Sequence, residues 1–92
     1  MNKDFKTMFW EDLLLHLRLG KTYESKISKD VNVTYSHVVR TVKLLEKYKL
    51  VNSEFVGRTR YVELSNSGSV IAKYLQQIRE EFDNNERKIK KK

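Results

Sequence analysis

The segment from Thr34 to Tyr48 separates apolar from basic side chains more sharply than any other part of this sequence. Wound as an α-helix, it has one inward-facing apolar arc, which consists of Tyr35, Val38, Val39, Val42 and Leu45. The opposite side carries polar and basic residues at positions i, i+4, i+7 and i+11, namely Ser36, Arg40, Lys43 and Lys47. We therefore predict a helix over about residues 35–48 that packs on a core and presents a basic stripe to solvent. In this helix Tyr35 is expected in the core, with its hydroxyl at the surface.

The residues before this helix predict a second helix and a tight turn. Thr22 is the expected N-cap of the second helix, whose buried face has a four-residue spacing and consists of Tyr23, Ile27 and Val31. Asn32 tolerates a positive φ angle, and Thr34 can cap the helix that follows. Two helices joined by so short a turn form a helix-turn-helix.

A first helix is predicted between an N-cap at Thr7 and a stop at Gly20. Its wide apolar stripe consists of Phe9, Trp10, Leu13, Leu14 and Leu17, and its second, narrower one of Met8, Leu15 and Leu19. A helix with two apolar faces needs two partners. Phe9 and Trp10 fit either a core or a ligand pocket between this helix and the last one, and large aromatics are more often core.

A hairpin and a long helix are predicted for the second half of the chain. Residues 50–56 and 61–64 are rich in Val, Phe and Tyr and flank the turn Gly57–Arg60. Ser65 or Asn66 then caps a helix with one apolar stripe, which consists of Val70, Ile71, Tyr74, Leu75, Ile78 and Phe82. The fold class is therefore α+β: a winged helix-turn-helix with three short helices, a two-stranded wing and a long C-terminal amphipathic helix. We expect one domain over residues 1–85 and a basic, flexible tail over 86–92.

Composition narrows the function to binding. The formal net charge is +7, and residues 21–61 hold nine basic groups against four acidic ones, which favours a polyanionic partner. The chain has no cysteine, and its two histidines, His16 and His37, lie on different helices, so we expect neither a metal site nor a cofactor. No arrangement of acids, bases and nucleophiles indicates an enzyme. Neither a signal peptide nor a membrane span is indicated, so we expect a cytoplasmic protein.

The run from Ile27 to Val51 resembles the helix-turn-helix of the multiple-antibiotic-resistance (MarR-like) winged-helix regulators, and short archaeal and viral winged-helix regulators are similar. Leu64-Ser65-Asn66-Ser67-Gly68 resembles the strand-to-helix motif that follows their wing, so the resemblance covers about residues 22–68. It implies a dimeric repressor or activator, with the third helix in the major groove of DNA and the wing on the adjacent backbone or minor groove. Lys49 stands where a glycine commonly ends the recognition helix, and a left-handed lysine there costs about 1 kcal/mol.

These patterns predict sequence-specific binding of double-stranded, palindromic DNA by a homodimer. The expected DNA-binding residues are Thr34, Tyr35, Ser36, His37, Arg40, Lys43, Lys47, Arg58, Thr59 and Arg60, with Ser36, His37 and Arg40 toward base edges. The expected dimer interface consists of Phe9, Leu13, Ile71, Tyr74, Leu75, Ile78 and Phe82. The alternative function is a winged-helix module that binds an acidic protein. Whether a small-molecule effector exists is not encoded in any motif.

Overall fold

The winged helix-turn-helix predicted from sequence is confirmed by a computed structural model, which describes residues 9–90. Its elements are α1 (Phe9–Leu17), β1 (Thr22–Tyr23), α2 (Glu24–Val31), α3 (Tyr35–Lys47), β2 (Val51–Val56), β3 (Thr59–Leu64) and α4 (Asn66–Lys90). The strands form an antiparallel sheet in the order β1-β3-β2. Thr7, the predicted N-cap of the first helix, and Met8 in its narrower stripe lie outside the described residues.

The start of α2 differs from the prediction. Thr22 and Tyr23 form strand β1, which pairs with Val62 and Tyr61 of β3. The N-cap of α2 is Tyr23, in an extended conformation and without a side-chain cap. The expected cap at Thr22 is therefore wrong, because pairing with a distant strand outweighs the local capping preference of threonine.

The helix-turn-helix follows its predicted local chemistry. Asn32 ends α2 in the left-handed conformation at φ 56°, as expected for one of the few residues that tolerate it. The Ser28 hydroxyl donates to the carbonyl of Val33 at 2.6 Å and holds the turn closed. The Thr34 hydroxyl accepts from the backbone N–H of His37 at 3.3 Å and so caps α3 as predicted.

One core joins α1, α2, α3, the sheet and the first turns of α4. Its buried apolar residues are Phe9, Leu13, Leu14, Leu17, Ile27, Val38, Val42, Leu45, Val51, Val62 and Ala72. Trp10, Ile71 and Leu75 pack against it and are half-buried. The wide stripe of α1 is thus used inside the monomer, and Trp10 is a core residue rather than the wall of a pocket.

Helix α4 continues to Lys90, past the boundary that the sequence sets at residue 85. The last glycine of the chain is Gly68 and there is no proline, so the following residues contain no strong helix breaker. A separate role for residues 86–92 as a tail stays a prediction.

The junction between α3, β2 and α4 is held by backbone contacts. Helix α3 ends with Lys49 in the left-handed conformation at φ 61°. The N–H groups of Lys49 and Leu50 each donate at 2.9 Å to carbonyls of the last turn of α3. The Ser65 hydroxyl accepts a hydrogen bond from the backbone N–H of Gly68 at 3.0 Å and donates one to the carbonyl of Lys49 at 2.7 Å. The amide of Ser65 donates to the carbonyl of Leu50 at 3.0 Å.

Gly68 is the tightest point of this junction. A Cβ atom placed on Gly68 would lie 1.8 Å from the carbonyl oxygen of Leu50. Only glycine lets the first turn of α4 approach the start of β2 this closely.

We expect Gly68→Ala to lower the free energy of unfolding by about 2 kcal/mol or more, because the backbone of Leu50 must shift to admit the methyl group. Urea unfolding followed by circular dichroism measures the loss. Gly57→Ala is the matched comparison: Gly57 has φ 63° but open space around it, so that change should cost only about 1 kcal/mol of conformational strain. Equal losses in the two variants would contradict a steric role for Gly68.

Candidate nucleic-acid interface

Helix α3 presents the predicted polar and basic stripe. Ser36, Arg40, Lys43 and Lys47 are all exposed, while Val38, Val42 and Leu45 on the opposite side are buried. Thr34 is also exposed at the start of the helix. The helix therefore has a continuous solvent-facing surface that can receive a polyanion.

Tyr35 lies further out than expected. Its exposed fraction is 54%, so it is a surface residue rather than a core residue with a polar tip. As the first residue of α3 it precedes the turns that contact the core, which begin at Val38. Tyr35 is therefore an exposed residue at the start of α3, with its hydroxyl hydrogen-bonded to the Glu24 carboxyl.

His37 points away from the exposed stripe. Its ring lies against the ring of Phe9 on α1, with centroids 4.8 Å apart. Its Nε2 atom is buried and has no hydrogen-bond partner among the described residues. The structure thus brings His37 to the contact between α3 and α1, where its ring is half-buried, while Ser36 and Arg40 are exposed.

The wing presents one of its two arginines to solvent. Arg58 is exposed in the turn that follows Gly57, which has φ 63°. Thr59 is half-buried and pairs with Val56 in the hairpin. Phe55 and Val56 are also exposed near the tip, and the sequence analysis did not single them out.

Arg60 is an internal residue of the wing. Its Nη1 lies 3.6 Å from Oε2 of Glu24, its Nη2 pairs with Oε1 of Glu46, and its Nε donates to the Ser53 hydroxyl at 3.0 Å. The Ser53 hydroxyl in turn donates to Oε2 of Glu46 at 2.5 Å. We call these four residues, Glu24, Glu46, Ser53 and Arg60, the Arg60 cluster. The Arg60 side chain is only 13% exposed, so the structure does not present it as a phosphate ligand.

Strand alternation explains this position and could have predicted it. Successive side chains of a strand point to opposite faces, so Arg60 shares a face with Val62, which is fully buried. Arg58 lies in the turn before β3, where this alternation does not apply, so reading the two arginines together as a basic tip overlooked that only Arg60 belongs to the strand. The partners of Arg60 lie on α2, α3 and β2, and local sequence does not indicate such contacts.

Glu24 is the most buried member of the Arg60 cluster. Its exposed fraction is 4%, and its Oε2 accepts no hydrogen bond from the described residues. Burial raises the pKa of the Glu24 carboxyl above its usual range, while Arg60 and the Tyr35 hydroxyl act in the opposite direction. The net direction shows that desolvation of the carboxylate exceeds the stabilisation that Arg60 supplies.

An open groove of about 910 Å³ lies between α1 and the turn before α3. Its lining includes Phe9, Leu15, Leu19, Val31, Val33, His37 and Arg40. Leu15 and Leu19 belong to the narrower apolar stripe of α1, so the groove contains the second face for which the sequence required a partner.

Within residues 9–90 no group of three or more His, Asp or Glu side chains could hold a metal ion. No described helix is long and apolar enough to span a bilayer.

The dimer residues predicted from sequence fall into three sets. Phe9 and Leu13 are buried in the core, and Ile71 and Leu75 are half-buried against it. Tyr74, Ile78 and Phe82 are exposed, and together with Val70 and Ile89 they form an apolar stripe along α4, the α4 stripe. Phe9 and Leu13 are therefore already covered within the monomer, and the exposed members of the predicted interface all lie on α4.

Comparison with known proteins rests on structure. No protein-family model matches the sequence, and no curated relative matches it either. ZitR from Lactococcus lactis superposes with a TM-score of 0.84 at 17% identity, over 97% of this chain and 70% of that one. The adhesin competence repressor AdcR from Streptococcus pyogenes gives 0.78 at 20% identity, over 87% of this chain and 62% of that one. AF1382 from Archaeoglobus fulgidus gives 0.76 at 26% identity, over 79% and 86%.

These matches are to MarR-family winged-helix regulators, in agreement with the resemblance of the sequence motifs. At such identities they show the fold. A structure of wild-type ZitR in complex with DNA is also matched, with a TM-score of 0.76 at 18% identity over 87% of this chain and 57% of that one. Of these proteins, AdcR is named as a repressor, and the ZitR complex contains DNA.

Burial of Glu24 predicts a specific pH dependence of stability. Because its folded-state pKa is raised, its contribution is fully present below its ordinary value of 4.5 and is lost as pH rises through the folded value. We expect the wild type to lose stability relative to Glu24→Gln as the pH rises above about 4.5. Urea unfolding at a series of pH values measures the difference. Glu63→Gln, an exposed carboxyl on β3, is the control and should show no such trend. The opposite trend for Glu24→Gln would mean that Arg60 dominates its pKa.

Proposed function

We propose that this protein is a transcriptional regulator that binds double-stranded DNA sequence-specifically as a homodimer in the cytoplasm, with α3 in the major groove and the wing on the adjacent backbone or minor groove. The exposed polar and basic stripe of α3 carries this proposal, because it combines hydrogen-bonding and cationic groups on the second helix of a helix-turn-helix, the helix that enters the major groove in such folds. The ZitR structure with DNA supports it through the shared fold.

The residues of the α3 stripe are expected to contact different parts of the DNA. Ser36 and Arg40 lie in the first half of α3, the part of a recognition helix that meets base edges in such folds. Arg40 can form two parallel hydrogen bonds with guanine and is the strongest candidate for specificity. Lys43 and Lys47 carry point charges suited to phosphates, and Arg58 does the same from the wing. Thr34, Tyr35 and Thr59 are candidates for polar contacts at the edges of this surface.

The homodimer rests on the α4 stripe. Val70, Tyr74, Ile78 and Phe82 are each more than half exposed, which leaves a row of large apolar side chains in water in the monomer. A second copy of the same helix supplies an apolar cover by two-fold symmetry. Two copies of α3 about one DNA turn apart, ~34 Å, would then read a palindrome.

Two substitutions separate specificity from charge. Arg40→Ala should cost about 1–3 kcal/mol on the preferred duplex and relax the preference at one position of each half-site. Arg58→Ala should weaken binding to all duplexes alike, because a phosphate contact carries no sequence information. Selection from a random duplex library defines the preferred site, and fluorescence anisotropy then measures affinity for it and for scrambled DNA. An equal loss on both duplexes in Arg40→Ala would reassign Arg40 to the backbone.

The salt dependence tests the electrostatic part of the proposal. Lys43, Lys47 and Arg58 of two protomers give six phosphate contacts, for which log K should fall with log salt at a slope of about −5. A slope near zero for the unmodified protein would contradict the phosphate contacts proposed for these residues.

The dimer is tested by placing charge on the α4 stripe. Ile78→Glu together with Phe82→Glu should give a folded monomer that binds DNA weakly, because neither side chain contributes to the buried core. Sedimentation velocity at micromolar concentration measures the mass. Gln77→Glu together with Asn84→Glu adds the same charge to exposed positions off the stripe and should remain dimeric. Sedimentation of the unmodified chain at 11.0 kDa would contradict the dimer.

A further inference from the structure

We infer that Arg60 is a positioning residue, which fixes the wing against α3 through Glu24, Glu46 and Ser53 so that Arg58 reaches a phosphate while α3 lies in the groove. This inference rests on the proposed function and concerns how the two contact elements are held in register. It assigns to Arg60 a role different from that of Arg58, although the two arginines are only two residues apart in the wing.

The Arg60 guanidinium connects the wing to both helices of the helix-turn-helix. One nitrogen faces Glu24 at the start of α2, a second pairs with Glu46 near the end of α3, and the third bonds Ser53 on the neighbouring strand. A guanidinium is planar and its donors point in fixed directions, so three partners define its orientation. The Arg60 carbon Cζ also lies 5.7 Å from the ring centre of Phe55, which covers it from the tip side of the wing.

Stability alone does not account for the Arg60 cluster. Two carboxylates face one guanidinium, and Glu24 is buried with an oxygen that accepts no hydrogen bond from the described residues. Desolvation of buried ion pairs usually offsets most of their attraction, and apolar replacements of similar size are often neutral or stabilising. What an ion cluster of this kind supplies is a defined geometry.

Removal of the Glu46 charge tests the inference, because the two explanations predict opposite changes in DNA affinity. Glu46 lies on α3 between Lys43 and Lys47, and it is a negative charge on the element proposed to enter the groove. If charge were all that mattered, its removal would strengthen binding to DNA. If Glu46 acts by holding Arg60, its removal weakens binding, because the wing loses its fixed position.

The first experiment measures the affinity of Glu46→Gln for the selected duplex, next to Glu63→Gln as the charge-matched control. Glu63 is exposed on β3 and takes no part in the Arg60 cluster. We expect Glu46→Gln to bind about tenfold more weakly and Glu63→Gln to bind equally well or more tightly. Unchanged or tighter binding by Glu46→Gln overturns the inference. Binding is measured at a temperature where circular dichroism shows each variant to be folded.

The second experiment is a double-mutant cycle between Arg58→Ala and Arg60→Gln. If Arg60 acts through the position of the wing, Arg60→Gln weakens binding in the wild type but adds no loss in the Arg58→Ala background. If Arg60 itself contacts phosphate, the two losses add and the salt slope falls further by about one unit per contact. Additive losses therefore overturn the inference, as does an Arg60→Gln variant that is less stable but binds with unchanged affinity.

Arg60→Lys provides the conservative variant. It keeps the positive charge but not the planar fork, so we expect it to bind nearly as weakly as Arg60→Gln, whereas a phosphate contact would be largely restored. Amide hydrogen exchange in β2 and β3 should be faster in Glu46→Gln and Arg60→Gln than in Glu63→Gln. If the unmodified protein binds no duplex, the proposed function fails together with the inference. If it binds and the cycle is additive, only the inference fails.

Discussion

The approach of the Gly68 backbone to the carbonyl of Leu50 is the contact on which the rest of the fold depends. It brings the first turn of α4 so close to the residue before β2 that a single methyl group on Gly68 would clash with the Leu50 carbonyl oxygen. Ser65 adds hydrogen bonds to Lys49 and Leu50 at the same point. The end of the recognition helix, the root of the wing and the start of the long helix are thereby fixed relative to one another. Lys49 adopts its strained left-handed conformation within this junction.

Local chemistry made the helix-turn-helix predictable. Asn32, Thr34 and Ser65 act through neighbours within a few positions, so propensity rules describe them correctly. The stripe of α3 was equally accessible, because an α-helix converts spacing directly into faces. The same holds for the wing, whose strands adjoin a glycine turn.

Long-range contacts account for what the sequence did not show. Strand β1 has only two residues and exists through its pairing with β3. The side chains of His37 and Arg60 face partners on other elements, Phe9 for the first and two carboxylates for the second. Phe9 and Leu13 looked available for a dimer because the sequence does not reveal how much of a stripe a single core covers. A count of formal charges does not reveal which basic groups are free to bind a polyanion. Lys21, Lys26 and Arg79 are paired with carboxylates, as Arg60 is.

The spacing of the α4 stripe sets the angle at which another helix can cover it. Val70, Tyr74, Ile78 and Phe82 recur every four residues, which is longer than the ~3.6 residues of one helical turn. Such a row drifts around the helix in the sense opposite to a heptad seam, so a partner helix crosses it obliquely and does not wind along it as a left-handed coiled coil. Contact is then concentrated near the crossing point. A shift of that point by one four-residue step would move and rotate each winged-helix head relative to the other, so the position of a few apolar side chains would determine the spacing between the two reading helices.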